Sequence, residues 1–466
     1  MSLKRNWFVW IAVVTLLPTA PVAAQQSNGP VQVGGTQQIS GAAKVTSGRP
    51  ATLSFEQAIQ LAIENNLTTL LARERRNEAR GMKQQSLAPL LPNVSGAAFQ
   101  ASLTENLAAL GFRPGLIPGF NSTFVGPFRN FDARVSLAQT IFDLSAIRNY
   151  QAGRAGVRVA ELQEALAREQ VASATGLIYL EALRADAAVV AAQANVELAQ
   201  VLLKLAQDQR NAGVATGVDV TRAQTRLAEQ QVGLAQAQTT SEQARLNLQR
   251  VVGLPLGSSL TLTDRLRFME EPLPAVETAV AQAGQDRREV QVAEEQNKVS
   301  RLERQAVRAE YLPSLEFLGD YGVSGITPTT SDLPTRSVAV QLNVPIFNGG
   351  LTRGRLTAAA SRERQTELEL SNIRGQVEED VRLALSTLRT TAAQVRAADE
   401  SVMLGQRELE MARDRFRAGV GDNLEVVTAQ TSLANARDAQ VTALAQHNAA
   451  RLNLAAALGR AEAFRW

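Results

Sequence analysis

Two carboxylates stand out because they hold equivalent places in a stretch that the chain contains twice. NAGVATGVDVTRAQ runs from Asn211 to Gln224, and RAGVGDNLEVVTAQ runs from Arg417 to Gln430. Asp219 and Glu425 follow the glycines of their own copy and lie 206 positions apart. One interpretation is a role in starting a helix, because an acid in the first turn interacts favourably with the helix dipole. The other is a site that attracts cations, because carboxylates brought close together favour cations and repel one another.

The rest of the sequence has no residue set with the spacing of a catalytic or metal site. No glycine-rich phosphate loop follows a strand, and no HExxH motif occurs. The single histidine, His447, excludes His-based metal clusters and triads, and its polar helical context predicts a solvated side chain. We therefore expect no enzyme, with no catalytic residue, no cofactor and no metal ion. The net charge of +3 over 466 residues does not indicate nucleic-acid binding.

The first residues have the order of a secretory signal. Lys4 and Arg5 precede the apolar run Trp7–Leu17, which is too short to span a bilayer, and small residues follow it. We expect a signal peptide over 1–24 and a flexible segment over 25–50. No later stretch reaches about 18 consecutive apolar residues, so no transmembrane helix is expected. The absence of cysteine excludes disulfides and a lipid on an N-terminal cysteine.

Two segments without proline, roughly Ser145–Arg210 and Gly350–Arg417, predict helices of roughly 100 Å. In the second, apolar residues recur every seven positions, as in a coiled coil: Val381, Leu388, Val395, Val402, Leu409 and Phe416. Four further helices are expected to be about half as long, at Phe55–Leu87, Val218–Val252, Ala275–Tyr311 and Leu424–Leu458. Their lengths suggest that 218–252 stacks end to end with 275–311, and 424–458 with 55–87, each pair beside one long helix.

Aromatic residues cluster where the helical periodicity stops. Seven of the 14 phenylalanines lie between Phe99 and Phe142, Phe112 and Phe120 among them. Apolar and polar residues alternate along Phe131–Ile141 and Val338–Ile346, with expected partner strands near Val94–Leu103 and Leu315–Val323. Strict alternation over about ten residues is typical of a transmembrane β-strand. An ordinary half-buried hairpin of a soluble domain is the alternative.

Four strands cannot close a barrel, and an open sheet edge is not tolerated in lipid. If the strands lie in the membrane, several chains must therefore contribute their strands to one closed barrel. Two chains would barely enclose their own side chains, whereas three chains give about twelve strands and a lumen. We expect a homotrimer in contact with outer-membrane lipid.

Several motifs in the right order resemble the TolC-like outer-membrane factors, the outer membrane efflux protein family. The resemblance extends from Leu53–Asn66 to Arg451–Gly459 and is most specific at Asn343–Gly350 and at the turn Phe416–Gln430, with a weaker counterpart of the former at Ala138–Ala146. It implies a mainly α fold with a membrane β-barrel. Long coiled-coil hairpins and four strands per chain would form, in a trimer, a 12-stranded barrel and an α-helical periplasmic tunnel.

The same resemblance implies an exit duct of a tripartite efflux pump or a type I secretion system. Its partners would be a periplasmic membrane-fusion adaptor and an inner-membrane pump. The expected organisation is a first repeat over 51–252, a connector over 253–274 and a second repeat over 275–466. Within the repeats we expect β-hairpins and far-end turns, at about 93–142 and 211–218 in the first and at about 313–347 and 417–424 in the second.

These turns supply the candidate site residues. The gate candidates are Asp219, Glu425, Phe416 and Arg417, although Phe416 also fits the helix core. Residues expected to make the turns and to contact the adaptor are Gly213, Val214, Gly217, Gly419, Val420 and Gly421. The strand-to-helix motif comprises Pro345, Phe347, Asn348, Gly349 and Gly350. At Gly421 and Thr428 the family's well-described members carry a basic residue and an acid that lock the tunnel, so that lock is not available here.

Two other readings are open at this point. A periplasmic coiled-coil adaptor or spacer would explain long helices without a pore, but it predicts neither membrane-type hairpins nor paired half-length helices. A secreted enzyme on a helical scaffold is disfavoured by the missing site.

Overall fold

The computed structural model describes residues 40–43, 52–111, 113, 122–270, 272–330 and 332–466. The predicted signal peptide 1–24, most of the predicted flexible segment 25–50, and Phe112 and Phe120 lie outside the described residues.

Helices dominate the described residues, and the strands occupy two short stretches of the chain. The order is β1 (Thr52–Leu53), α1 (Phe55–Asn65), α2 (Leu67–Leu87), β2 (Asn93–Asn106), β3 (Phe124–Phe142), α3 (Leu144–Asn211), α4 (Gly217–Val252), β4 (Thr261–Leu262), α5 (Val276–Asp286), α6 (Arg288–Ala309), β5 (Ser314–Gly325), β6 (Leu333–Asn343), α7 (Leu351–Arg417) and α8 (Asn423–Ala457).

The two long helices are continuous. α3 has 68 residues and α7 has 67, so each is a rod of roughly 100 Å. α3 packs along α2, α4, α6 and α8, whereas α7 packs along α5, α6 and α8. Although the sequence predicts no transmembrane helix, α3 contains a window of 18 residues with a mean hydropathy of 1.3 that could cross a membrane by length and composition alone.

Two of the half-length helices are broken, contrary to the prediction of single helices over 55–87 and 275–311. Asn66 separates α1 from α2 with φ −68° and ψ 135°, and its side chain accepts a hydrogen bond from the Thr68 N–H. Arg287 separates α5 from α6 with φ −64° and ψ 126°. Asparagine is a common N-cap and could have signalled the first break, but an arginine carries no such signal.

The end-to-end pairing predicted from helix lengths is also wrong. The Asn65 side-chain amide donates to the Val252 carbonyl at 3.2 Å, so the end of α1 lies against the end of α4. Beyond α8, Arg460 contacts the Asp286 carboxylate at 3.1 Å, at the end of α5. The half-length helices therefore meet their partners within the same half of the chain. Helix lengths constrain only the combined length of a stacked pair and do not show which two helices stack. The connector 253–274 crosses the rod instead of continuing along it, so α4 does not stack on the next helix in the sequence.

A core halfway along α3 holds the connector and the chain ends together. The Tyr179 hydroxyl donates to the Asp264 carboxylate at 2.7 Å and lies 3.0 Å from the Leu53 carbonyl. The same carboxylate accepts the Phe55 N–H at 2.8 Å. Burial and the adjacent Asp264 raise the pKa of the Tyr179 hydroxyl far above its usual range. β1 and β4 pair in parallel beside this group, joining the segment before α1 to the connector.

His447 is buried, contrary to the prediction of a solvated side chain. It is only 2% exposed, with Nε2 at 3.0 Å from the Met269 carbonyl and Nδ1 at 3.5 Å from Thr391 Oγ1. The Phe268 ring lies 4.9 Å from the imidazole. The connector folds over α8 at this point, and the periodicity of a single helix cannot show that contact.

The strands form an antiparallel sheet in the order β2-β3-β5-β6. Within the described chain, β2 and β6 each have one unpaired edge. The register places apolar side chains on one face, including Val94, Leu137, Phe317, Val338 and Val340. The other face carries polar side chains, including Asp132, Arg134, Ser136, Asp320 and Ser337. The alternation predicted for β3 and β6 is therefore present, whereas β2 departs from it, because Phe99, Ala101 and Leu103 share the face of Asp132.

The polar face contains a charge cluster that depends on a glycine. Arg134 Nε contacts Asp132 Oδ1 at 2.6 Å, and its Nη1 contacts Asp320 Oδ1 at 3.3 Å. Gly322 lies opposite Arg134 in the register of β3 and β5. A Cβ on Gly322 would lie 2.5 Å from Arg134 Cβ and even closer to the Ala133 carbonyl oxygen, so the backbone would have to move.

We expect Gly322→Ala to destabilise the sheet by about 1–3 kcal/mol, because it overpacks a site bounded by backbone. Thermal unfolding followed by circular dichroism should show a midpoint lowered by several degrees. Gly319→Ala in the same strand is the matched control, since its nearest neighbour would be the Phe317 ring at an ordinary 3.4 Å. Equal midpoints for the two variants would contradict the proposed clash.

Candidate functional site

Two turns connect the long helices to their returning partners. α3 ends at Asn211 and α4 begins at Gly217, while α7 ends at Arg417 and α8 begins at Asn423. Gly213 has φ 77° and Gly419 has φ 70°, the left-handed conformation that terminates helices and that glycine adopts without strain.

Equivalent hydrogen bonds close both helix ends. The Val214 N–H donates to the Gln209 carbonyl at 2.9 Å, and the Val420 N–H donates to the Arg415 carbonyl at 3.1 Å. These bonds satisfy backbone carbonyls that a helix terminus otherwise leaves without a partner. Both valine side chains are exposed at the tip of the molecule, which leaves them accessible to a partner.

The two turns lie side by side and contact each other. The Asn423 amide donates to the Asp219 carbonyl at 3.0 Å, and the Gln209 amide approaches the Arg417 carbonyl at 3.4 Å. Val214 Cγ1 lies 3.4 Å from the position that a Cβ on Gly419 would take. The chain therefore presents both copies of the repeated stretch at one place, although Asn423 and Asp219, which contact each other there, are 204 residues apart in sequence.

Asp219 forms a reciprocal cap at the start of α4. Its carboxylate accepts the Thr216 hydroxyl at 2.7 Å and the Thr216 N–H at 2.8 Å, and the Asp219 N–H approaches the Thr216 hydroxyl. The Thr216 hydroxyl, and then its N–H, lower the pKa of the Asp219 carboxyl below its ordinary value. Arg222 lies 3.7 Å away on the next turn. The residue is only 9% exposed, and these contacts satisfy the helix-start interpretation.

Glu425 has the equivalent position in α8 but different contacts. Its carboxylate reaches back to Arg415 at the end of α7, with Nε to Oε2 at 3.1 Å and Nη2 to Oε1 at 3.5 Å. Both side chains are about half exposed. The cap of α8 is Asp422, which accepts the Leu424 N–H at 3.1 Å. Glu425 is therefore free of the capping role that occupies Asp219.

The other two gate candidates lie in different environments. Phe416 is buried among apolar residues of α3, α7 and α8, with Leu202, Leu409, Val426 and Leu433 in the same cluster. Arg417 is exposed and contacts Asp414 one turn earlier at 3.7 Å. The structure thus places Phe416 in the core of the tip and Arg417 on its surface.

Gly421 and Thr428, which stand where the family's well-described members carry the residues of the lock, make contacts within their own hairpin. A Cβ on Gly421 would lie 2.9 Å from Arg415 Cβ and 3.2 Å from the Arg415 carbonyl carbon. A side chain is therefore excluded there unless the end of α7 moves. Thr428 donates its hydroxyl to the Leu424 carbonyl within its own helix at 2.9 Å. Gly217 is the first residue of α4 and has open space around it.

The strand-to-helix motif lies at the opposite end of α7. Gly349 and Gly350 have φ 65° and 84°, and Gly350 is the cap residue of α7. The Asn348 amide donates to the Thr352 hydroxyl at 2.6 Å, and this hydroxyl lies 3.3 Å from the Glu310 carboxylate. Pro345 and Phe347 are exposed, as are Ile141 and Phe142 at the corresponding end of β3. This end of the rod therefore carries an apolar surface.

Sequence reasoning missed the partners of the two acids. Thr216 stands three residues before Asp219, a spacing typical of a capping box, so that signal could have been read. Arg415 and Asn423 contact groups 10 and 204 residues away, and no spacing rule selects such pairs. Within the part of the chain that the structure describes, no group of three His, Cys, Asp or Glu residues could hold a metal ion.

Known proteins match the chain in both of its halves. The family model described as outer membrane efflux protein matches residues 58–254 and 279–460. The alkaline protease secretion protein AprF of Pseudomonas aeruginosa is 28% identical over 377 residues, which are 72% of this chain and 76% of that protein. The toluene efflux pump outer membrane protein TtgC of Pseudomonas putida is 25% identical over 471 residues, with 95% and 90% of the two chains covered.

Solved structures share the fold at low sequence identity. The CmeC outer membrane channel of Campylobacter jejuni has a TM-score of 0.75 at 18% identity, over 87% of this chain and 86% of that one. The open state of the MtrE outer membrane channel of Neisseria gonorrhoeae has a TM-score of 0.73 at 19% identity, over 92% and 96%. The predicted fold class is thereby confirmed.

We expect Asp219→Ala to remove about 1 kcal/mol of local stability from the first turn of α4, because the reciprocal cap is lost. Hydrogen exchange of the amides in that turn should accelerate about five-fold. Glu425→Ala should leave the first turn of α8 nearly unchanged, since an exposed ion pair contributes little. Asp422→Ala is the positive control for α8. Equal effects of Asp219→Ala and Glu425→Ala would contradict the different roles of the two acids.

Proposed function

The chain belongs to the outer membrane efflux protein family, and we propose that it is a trimeric outer-membrane channel. It serves as the exit duct of a tripartite efflux pump or a type I secretion system. The duct is passive, so it requires no reaction and no cofactor, and we propose no enzymatic activity.

The observation that carries this proposal is the sheet with an apolar face and two open edges. Unpaired N–H and C=O groups on β2 and β6 could not face lipid, because nothing there replaces their hydrogen bonds to water. Three copies, joined β6 to β2, would pair every edge and close about twelve strands into a barrel with a lumen. The polar face with Arg134 then lines the lumen, and the apolar face with Val338 contacts lipid.

The helices extend the lumen away from the membrane. α3 and α7 leave the sheet on either side of α6, which packs against both, and each runs roughly 100 Å to the tips. In a trimer the helices and their half-length partners form a tunnel across the periplasm, and the two tip turns of each chain become a ring of six. A membrane-fusion adaptor would contact this ring, at the exposed Val214 and Val420 among others. An inner-membrane pump would supply energy and cargo selectivity.

The gate is proposed to lie at this ring. Asp219 and Glu425 would contribute six carboxylates near the narrowest point, where they favour cations. Asp219 combines this role with its cap, and Glu425 combines it with the Arg415 contact across the α7–α8 turn. In place of the family's lock, the Asn423 bond to the Asp219 carbonyl holds the two turns of a protomer together.

Trimers purified from outer membranes should form channels in planar lipid bilayers. Asp219→Ala combined with Glu425→Ala is expected to raise the single-channel conductance or to reduce the cation preference, because six negative charges leave the constriction. Reversal potentials in a salt gradient and single-channel recordings measure both quantities.

A matched control removes as many charges far from the tips. Glu78 and Glu379 are exposed acids of α2 and α7, and Glu379 lies roughly 55 Å from the end of α7. Glu78→Ala with Glu379→Ala should leave selectivity close to that of the unmodified channel. Unchanged behaviour of the tip variant would contradict the gate assignment, and a soluble periplasmic monomer without channel activity would contradict the proposed function itself.

The pH dependence of selectivity tests Asp219 separately. Because the hydrogen bonds from the Thr216 hydroxyl and N–H hold the pKa of the Asp219 carboxyl below its ordinary value, Asp219 stays ionised wherever a free aspartate would, and its contribution is lost only as the pH falls through the lowered pKa. In Glu425→Ala channels, where Asp219 is the remaining gate acid, the cation preference should therefore persist from pH 7 to about pH 4.5. Loss of the preference near pH 6 would contradict this assignment, and the double variant provides the baseline.

A further inference from the structure

A cavity of about 450 Å³ opens halfway along the rod, far from both the sheet and the tips. It lies where the start of α1, the connector and the last residue of the sequence meet. Its lining residues are Ser54, Phe55, Glu56, Thr263, Asp264, Arg265, Arg267 and Trp466. The gate and the barrel use none of these residues.

The two acids of the cavity are already engaged. The Asp264 carboxylate accepts hydrogen bonds from Tyr179 and from the Phe55 N–H, and both bonds direct it into the core. Glu56 contacts Arg465 at 3.4 Å. Both carboxylates of the cavity thus have partners other than Arg265 and Arg267, and neither neutralises these two arginines.

Arg265 and Arg267 supply the uncompensated charge. Both are exposed, and neither forms an ion pair with any residue that the structure describes. They stand two positions apart, and along 263–267 exposed residues alternate with half-buried ones, so both arginine side chains lie on the exposed side of this segment. Two guanidinium groups at this spacing are suited to carboxylates, which arginine binds through paired hydrogen bonds.

An aromatic wall accompanies these cations. The Trp466 indole stacks on the Phe55 ring, with centroids 5.6 Å apart and planes inclined by 30°. Phe55 is fixed in turn by Tyr179, with rings 5.6 Å apart and nearly perpendicular. The indole is therefore held in place as a flat apolar surface beside the two arginines. The cavity fits a ligand that combines a carboxylate with a ring presenting an apolar face.

We propose that this cavity binds the carboxylated glycan of the cell wall. The choice of ligand rests on the proposed function, which places the middle of the rod, roughly 50 Å from the start of α3, in the periplasm. The wall polymer there consists of acetylated amino sugars that carry lactyl-linked peptides with free carboxylates. The sugar packs on Trp466, and a carboxylate binds Arg265 and Arg267. Three such cavities in a trimer would hold the duct laterally in the wall.

Tryptophan fluorescence reports on this cavity directly. The sequence has three tryptophans, and Trp7 and Trp10 lie in the predicted signal peptide. Trp466 is thus expected to be the one tryptophan of trimers purified from outer membranes. Titration with a purified disaccharide-tetrapeptide from the wall should change the emission saturably. Arg265→Gln with Arg267→Gln should weaken the binding at least ten-fold while the channel conductance stays unchanged.

The controls separate the chemistry from general charge effects. Arg389→Gln with Arg407→Gln removes two exposed arginines of α7 and should leave the binding constant unchanged. Trp466→Phe should abolish the emission change. A lack of saturable response, equal binding of a neutral N-acetylglucosamine tetramer, or stronger binding of an acidic peptide than of the wall fragment would overturn the proposal. Because conductance is measured on the same trimers, failure of this proposal is distinguishable from failure of the channel function.

Discussion

The unpaired edges of the four-stranded sheet are the constraint on which the rest of the structure depends. Lipid offers no hydrogen bonds to exposed backbone groups, so β2 and β6 must find partners in other copies of the chain. The position of the sheet also sets where the long helices begin, since α3 starts two residues after the end of β3 and α7 eight residues after the end of β6. In the proposed trimer, helices of this length would continue the lumen as a tunnel beneath the barrel.

Duplication gave the chain two similar halves, but their contacts have diverged. Both tip turns end their helix with a left-handed glycine, yet α4 is capped by Thr216 and Asp219 whereas α8 is capped by Asp422. Glu425 is thereby left available for Arg415. Equivalent positions in a repeat therefore need not make the same contacts. Asp219 and Glu425 differ because different side chains lie next to them in the two turns.

The middle of the rod shows why the irregular segments matter as much as the long helices. The connector places Asp264 against Tyr179 and Met269 against His447, and so joins α3 and α8 across the rod. These contacts bury polar groups with partners, as a buried polar group requires. The segment before α1 and the connector pair there as β1 and β4, which gives the helices a common anchoring point.

Periodicity and glycine placement in the sequence determined the long helices, the alternating strands and the far-end turns, because these depend on residues near one another in the chain. The break at Asn66 has a local capping signal, whereas tertiary structure alone decided the break at Arg287, the end-to-end helix partners, the burial of His447 and the Arg415–Glu425 contact. Each of these depends on groups brought together from distant positions or across a turn. The spacing of nearby residues specifies a helix or a strand. Which other helices or strands it contacts is decided by packing over the whole fold, which leaves few buried polar groups without a partner.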